Sequence, residues 1–208
     1  MDRRERDRHA APPCEETTVV IIVLDVEQAE ADLLAGALTC PHCSAVLRPW
    51  SSASARRIRQ HDGASRLVRP RRARCSGCQA TQVLVPAWCL PRRADAAEVI
   101  GAALVAKARG QGYRTIARDL GRPVSTVRRW LRAARGDQVE WLRCQGVRRT
   151  FELDQDLLAG LVPQATALGD ALCALAAAVL AWRRRFAGHA EAWTVIGAFA
   201  AGRLLAPP

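Results

Sequence analysis

Apolar positions run through this chain in three rhythms. Thr17 to Val26 (TTVVIIVLDV) is a β-branched run, short enough for one buried strand. Val26 to Leu38 then reads as a helix with Val26, Leu33, Leu34 and Leu38 inward, and Glu27, Glu30 and Asp32 favourably early for its dipole. From Thr39 to Leu90 the rhythm shortens to knuckles and strands. Ala55 to Gln60 and Ser65 to Arg69 predict a hairpin around Asp62-Gly63, a strong tight-turn pair. Ala80 to Leu90 predicts another short strand, and Pro91-Arg92-Arg93 a linker.

Beyond the linker the helical period takes over. Ala94 to Arg109 places Val99, Ile100, Ala103 and Leu104 on one face, and Gly110-Gln111-Gly112 breaks it. Tyr113, Ile116, Ala117 and Leu120 form the next stripe. Gly121 falls where a helix ends in the left-handed conformation, and Pro123 suits the first turn of its successor. In that successor Val127, Trp130, Leu131 and Ala134 recur at helical spacing, while Ser125, Arg128, Arg129 and Arg132 hold the opposite face without a carboxylate. An ordinary helical pair with solvated arginines would have mixed charges there. The one-sided charge predicts a homeodomain-like three-helix unit ending in a helix-turn-helix, with residues about 124–134 laid in a DNA major groove. The candidate DNA contacts are Arg114, Thr115, Ser125, Thr126, Arg128, Arg129 and Arg132.

After Gly136 the pattern stays helical. Asp137 predicts an N-cap for a helix carrying Val139, Trp141, Leu142 and Val147; Pro163 starts another over 164–186, and a last one falls within 189–205. Ala171 to Trp182 is uncharged and followed by Arg183-Arg184-Arg185, which looks like a membrane stop. A run of about a dozen residues suits a buried helix better than a span. A helical hairpin for packing or self-association is therefore expected, and no membrane. Taken together the predicted fold class is α+β. Residues 1–16 are expected to form a disordered charged tail, rich in arginine at its start, and 17–90 a strand, a helix and a β zinc ribbon. Residues 91–136 form the helix-turn-helix domain, and 137–208 a C-terminal helical region.

Charge sharpens this picture. The chain has 208 residues and a formal net charge of +11, with a pI near 10.4, which suits a polyanionic partner. Its cations are arginines apart from Lys107; that bias gives bidentate contacts to phosphate or guanine but equally follows from a GC-rich genome. Arg56, Arg57, Arg59, Arg66, Arg69, Arg71, Arg72 and Arg74 crowd the ribbon against a single acid, Asp62. Lacking a base-reading spacing, they predict a phosphate-tracking patch or, more blandly, a solvated β-ribbon.

Four of the eight cysteines form two pairs, Cys40-Pro41-His42-Cys43 and Cys75-Ser76-Gly77-Cys78. Each pair sets two thiolates on one turn, and two such turns make the tetrahedral four-sulfur site that zinc prefers. The prediction is one structural Zn2+ in a reducing cytoplasm, held by Cys40, Cys43, Cys75 and Cys78. A redox pair is disfavoured because no βαβ pattern surrounds either motif. His42 is a weak extra ligand candidate, and Cys14, Cys89, Cys144 and Cys173 read as buried or incidental singles.

The order of these motifs, CPHC…RRARCSGC followed by LPRRADAAEVIGAAL and GYRTIARDLGRPVSTVRRWL, resembles an actinobacterial group, domain-of-unknown-function family 6431. Up to about Gly136 it is also similar to the amino-terminal DNA-binding half of insertion-sequence transposases. The resemblance implies zinc on the four paired cysteines, base and phosphate contact by the helix from Ser125 to Arg132, and a nucleoid-associated cytoplasmic location. Its partners would be double-stranded DNA and a second copy or a separate transposase or integrase chain. The chain departs from such motifs in having Arg122-Pro123 where Ser or Thr commonly precedes the reading helix. It also has no phosphate loop, nucleophile elbow or H-E-x-x-H, and its late acids (Glu140, Glu152, Asp154, Asp156, Asp170, Glu191) lie in alanine-rich helices. A non-enzymatic DNA-binding protein is expected, a regulator or transposition accessory. The alternatives are a truncated or split transposase whose catalytic domain lies on another chain, and a zinc-stapled interaction module.

Overall fold

A computed structural model describes residues 19–187 and 189–205; the expected charged tail and the start of the first strand lie outside them. The β-branched run forms β1 (Val19–Val23) in a four-stranded sheet with β2 (Leu47–Ser52), β5 (Arg71–Cys75) and β6 (Thr81–Pro86). The strand order is β1-β6-β5-β2, with β1 parallel to β6 and the other pairings antiparallel. The Asp62-Gly63 turn closes a separate hairpin of β3 (Arg56–Arg59) and β4 (Ser65–Val68) as expected, and Asp62 Oδ1 accepts the Ala64 N–H at 2.9 Å.

Helix α1 (Val26–Ala35) is capped by Asp25, whose carboxylate accepts from Glu27 and Gln28, and it stops at Gly36 with φ 74°. Its inward residues are Ala29 and Leu33, which pack on Val23, Leu47, Ala73 and Leu84 of one sheet face. Val26 and Leu34, expected inward, are 51% and 64% exposed. The helix is one turn shorter than its apolar pattern suggested, and its contact stripe is an i, i+4 pair. Leu38 joins this cluster from beyond the helix.

The other sheet face, through Val83 and Val85, enters a larger core with Ile58 and Val68 of the hairpin and with every later helix. These are α2 (Ala97–Ala108), α3 (Tyr113–Asp119), α4 (Val124–Ala133), α5 (Asp137–Leu153), α6 (Ala167–Phe186) and α7 (Ala192–Phe199). The core runs without interruption past positions 90/91 and 136/137. The expected linker is a tight turn. The Arg93 N–H bonds Leu90 O at 3.2 Å, and the segment after it bonds both β3 (Ala96 N to Arg59 O, 3.0 Å) and the end of the sheet (Ala97 N to Trp88 O, 2.8 Å).

Two expectations for the C-terminal part change. Gly136, with φ 53°, occupies the N-cap of α5, and Asp137 is its first helical residue, with no side-chain capping bond. The helix expected over 164–186 starts later, at Ala167 under a Thr166 cap, after a short 3-10 stretch over Gln155–Gly160. The pairing of α5 with α6, on which the sequence pattern is silent, is parallel. Gly146 lies against Ala174 and Leu175, and Asp154 pairs with Arg184 at 3.1 Å, so the two helices run in the same direction and the segment between them crosses back. Gly146 permits the close approach: a Cβ there would sit 2.5 Å from the Ala174 carbonyl carbon. Helix α7 closes the assembly, with Gly197 against the Ala87 carbonyl and Trp193 over Gly101 of α2. No helix among the described residues is long and apolar enough to cross a membrane.

Candidate metal centre and nucleic-acid interface

The two cysteine turns are built alike. In each, the N–H of the first cysteine bonds a carbonyl five residues on (Cys40 to Ala45, 2.8 Å; Cys75 to Ala80, 3.0 Å). In each, the residue after the second cysteine is left-handed, Ser44 at φ 58° and Gln79 at φ 62°. The Ser76 N–H reaches Val46 O at 3.0 Å and ties one turn to the other. Gly77 is required where they meet, since a Cβ there would lie 2.9 Å from that of Ala45. All four sulfurs lie within 4.8 Å of one another, with Cys40–Cys78 at 3.8 Å and Cys43–Cys75 at 3.4 Å. A tetrahedron of thiolates about 2.3 Å from a zinc-sized ion has edges of about 3.8 Å, so the four sulfurs lie close enough together to hold one metal ion. His42 is exposed and outside the cluster.

The thiols differ in acidity. Hydrogen bonds from the Ala45 backbone and Cys75 hold Cys43 down at about 6. At Cys78 the Ala80 backbone favours the thiolate, but burial and the neighbouring sulfurs prevail and push it up to about 12. A cation bound by all four removes that competition, because each sulfur then bonds the metal instead of a neighbour. Gln82 was not signalled by the sequence. It is fully buried on β6, with Nε2 3.9 Å from the Cys40 sulfur and Oε1 without a partner among the described residues. Of the single cysteines, Cys89 is buried, Cys144 is exposed and Cys173 half-buried; Cys14 lies outside the described residues.

The helical part of the candidate site is α3 and α4, joined through Gly121 at φ 60° and both packed on α2. Ile116, Ala117, Val127, Trp130, Leu131 and Ala134 are buried as their spacing predicted. On the outer face Ser125, Arg128, Arg129 and Arg132 are exposed, as is Arg114 on α3, while Thr115 and Thr126 are half-buried. None of these four arginines pairs with a carboxylate among the described residues. Neither Ser125 nor Thr126 caps α4: Pro123 stands at the N-cap without a side-chain bond, and Thr126 and Val127 direct their N–H groups to its carbonyl.

The unusual Arg122 has a structural explanation. Its side chain is 7% exposed and its Nε donates to Asp95 Oδ1 at 2.6 Å, while two other nitrogens reach Leu120 O at 3.0 Å and Gln60 O at 2.8 Å. Arg59 grips the same carboxylate with Nε to Oδ1 at 3.0 Å and a second nitrogen to Oδ2 at 2.7 Å. Asp95, 4% exposed, thus joins the hairpin to the turn before α4. Only the Arg122-Pro123 departure hinted at this pairing.

The ribbon arginines are not equivalent, and some meet acids from outside the ribbon. Arg59 is paired with Asp95. Arg71 lies 3.2 Å from Glu30 of α1, out of line for a hydrogen bond, and donates to Ser51 O at 3.4 Å. Arg56 reaches Leu90 O at 3.5 Å. Arg66 lies over the Trp88 ring at 4.6 Å and Arg74 over Trp50 at 4.7 Å. Arg57, Arg69 and Arg72 are exposed and make no such contact among the described residues.

Comparison with known families places this geometry. The model of a domain of unknown function (DUF6431) matches residues 40–130, which supports that family for a segment running from the first clustered thiol to Trp130 in α4. No curated protein and no solved structure matches the chain.

Proposed function

We propose that the protein is a sequence-specific DNA-binding protein of transposase-like origin, a transcriptional regulator or transposition accessory without catalytic activity of its own. Helices α3 and α4 act as a helix-turn-helix, with α4 in the major groove and Arg128, Arg129 and Arg132 toward bases and flanking phosphates. The ribbon contributes phosphate contacts through its unengaged arginines, Arg57, Arg69 and Arg72 foremost, and the four thiolates hold a structural zinc ion. The reading rests on one observation above others: α4 buries its apolar stripe completely while its arginine face stays exposed and unneutralised. Exposing that much unpaired charge on a single helix stabilises nothing in the fold, whereas a polyanion would release counterions on meeting it.

Selection of bound duplexes from a random pool, with metal content measured on the same sample, tests the reading. Enrichment of one short motif by a protein carrying about one zinc per chain is the expected outcome. Binding that weakens equally on every duplex, or none at about 0.15 M salt, would overturn it.

A further inference from the structure

Asp95 is a buried carboxylate at the junction of the hairpin and the helical part, apart from the thiol cluster and from the exposed face of α4. It accepts three charge-assisted bonds from two arginines that belong to different parts of the chain, Arg59 on β3 and Arg122 in the turn before α4. Arg122 also binds Gln60 O, the last residue before the hairpin tip, and the backbone of residues 94–96 pairs with Arg59. Such multiply bonded, desolvated ion pairs hold geometry tightly, because losing one partner strands a buried charge. The hairpin tip is therefore fixed beside the first turn of α4. In the docking mode proposed above, the N-terminal residues of such a helix are the ones that meet base edges.

We infer that the β3–β4 hairpin and α4 form one continuous DNA-contacting surface, with Asp95 as the positioning residue that sets the hairpin's place on the backbone relative to the bases α4 reads. This rests on α4 being the reading helix. The duplex would be contacted in its groove by α4 and, at a fixed distance on one flank, on its phosphates by the exposed arginines Arg57 of β3 and Arg69 just past β4. A hairpin acting independently would track phosphates at no fixed distance.

The test is phosphate-ethylation interference on the full chain bound to its selected duplex, with folding checked by thermal melting and zinc content. For wild type a block of essential phosphates should adjoin the read bases on one side only. The double variant Arg57→Ala, Arg69→Ala should lose that block, keep the base preference and flatten the slope of log affinity against log salt by about 2. Asp95→Asn, with zinc retained, should smear or shift the block while the preferred bases stay the same. An unchanged interference pattern in the folded double variant would overturn the composite surface and leave α4 as the sole contact. Absence of any selected sequence for the folded wild-type protein would instead overturn the underlying DNA reading, and this inference with it.

Discussion

The arginines of the ribbon and those of α4 look interchangeable in the sequence, yet the fold treats them differently. Along β3 to β5 most are engaged: Arg59 by Asp95, Arg71 beside Glu30, Arg56 at a carbonyl, Arg66 and Arg74 over tryptophan rings. On α4, Arg128, Arg129 and Arg132 are exposed and paired with no described carboxylate. A run of like charge therefore does not by itself mark a binding surface. The carboxylates and rings that neutralise or shelter it arrive from distant segments, and what remains unengaged is the better guide to a partner.

Substitutions can break or sharpen this contrast, the largest effect coming from the metal. Cys75→Ser removes one of four sulfurs from a site whose apparent zinc affinity in small metal-stapled units is about 10–16 kcal/mol. Loss of bound zinc and of β-sheet circular dichroism is expected, leaving the ribbon side without its scaffold. Zinc retained at full stoichiometry would mean that the cluster is not the metal site. Asp95→Ala comes next, because Arg122 is left buried without its partner; unfolding in urea should show a loss of about 3–5 kcal/mol. A loss under about 1 kcal/mol would show that the hairpin is held mainly by Ile58 and Val68 in the core. Arg71→Ala should cost only about 0.2–1 kcal/mol, since that pair is half exposed. Arg129→Ala is the smallest, within about 0.5 kcal/mol in the same assay. Should Arg129→Ala destabilise more than Arg71→Ala, the distinction between engaged and free arginines is wrong.

How much of this could be read from residues alone follows from the range of each interaction. Local devices were legible. The paired cysteines, the Asp62-Gly63 turn, Gly121, and the Val127, Trp130, Leu131 and Ala134 stripe all act over a few positions and sit as predicted. Interactions that join distant segments were not. Asp95 carries no local signal, because a carboxylate that meets Arg59 and Arg122 across the fold leaves no periodic trace. The shared direction of α5 and α6 escaped for a related reason: an amphipathic pattern identifies a face but not which way the partner runs. Gly146, wedged against the α6 backbone, was the one local mark of that contact. At α1 the apolar pattern overran the helix because Gly36 ends it early, leaving Leu38 beyond its end, while Leu34 lies within it on the exposed side.

Binding isotherms on matched duplexes show whether the free face of α4 reads bases or only meets phosphates. Wild type and Arg129→Ala would be titrated against the selected duplex and each of its single-base variants at fixed salt. The account predicts that Arg129→Ala loses about 1–3 kcal/mol of discrimination at one base pair and little at the others. An equal loss at every position would contradict it, and would make α4 another phosphate-binding surface.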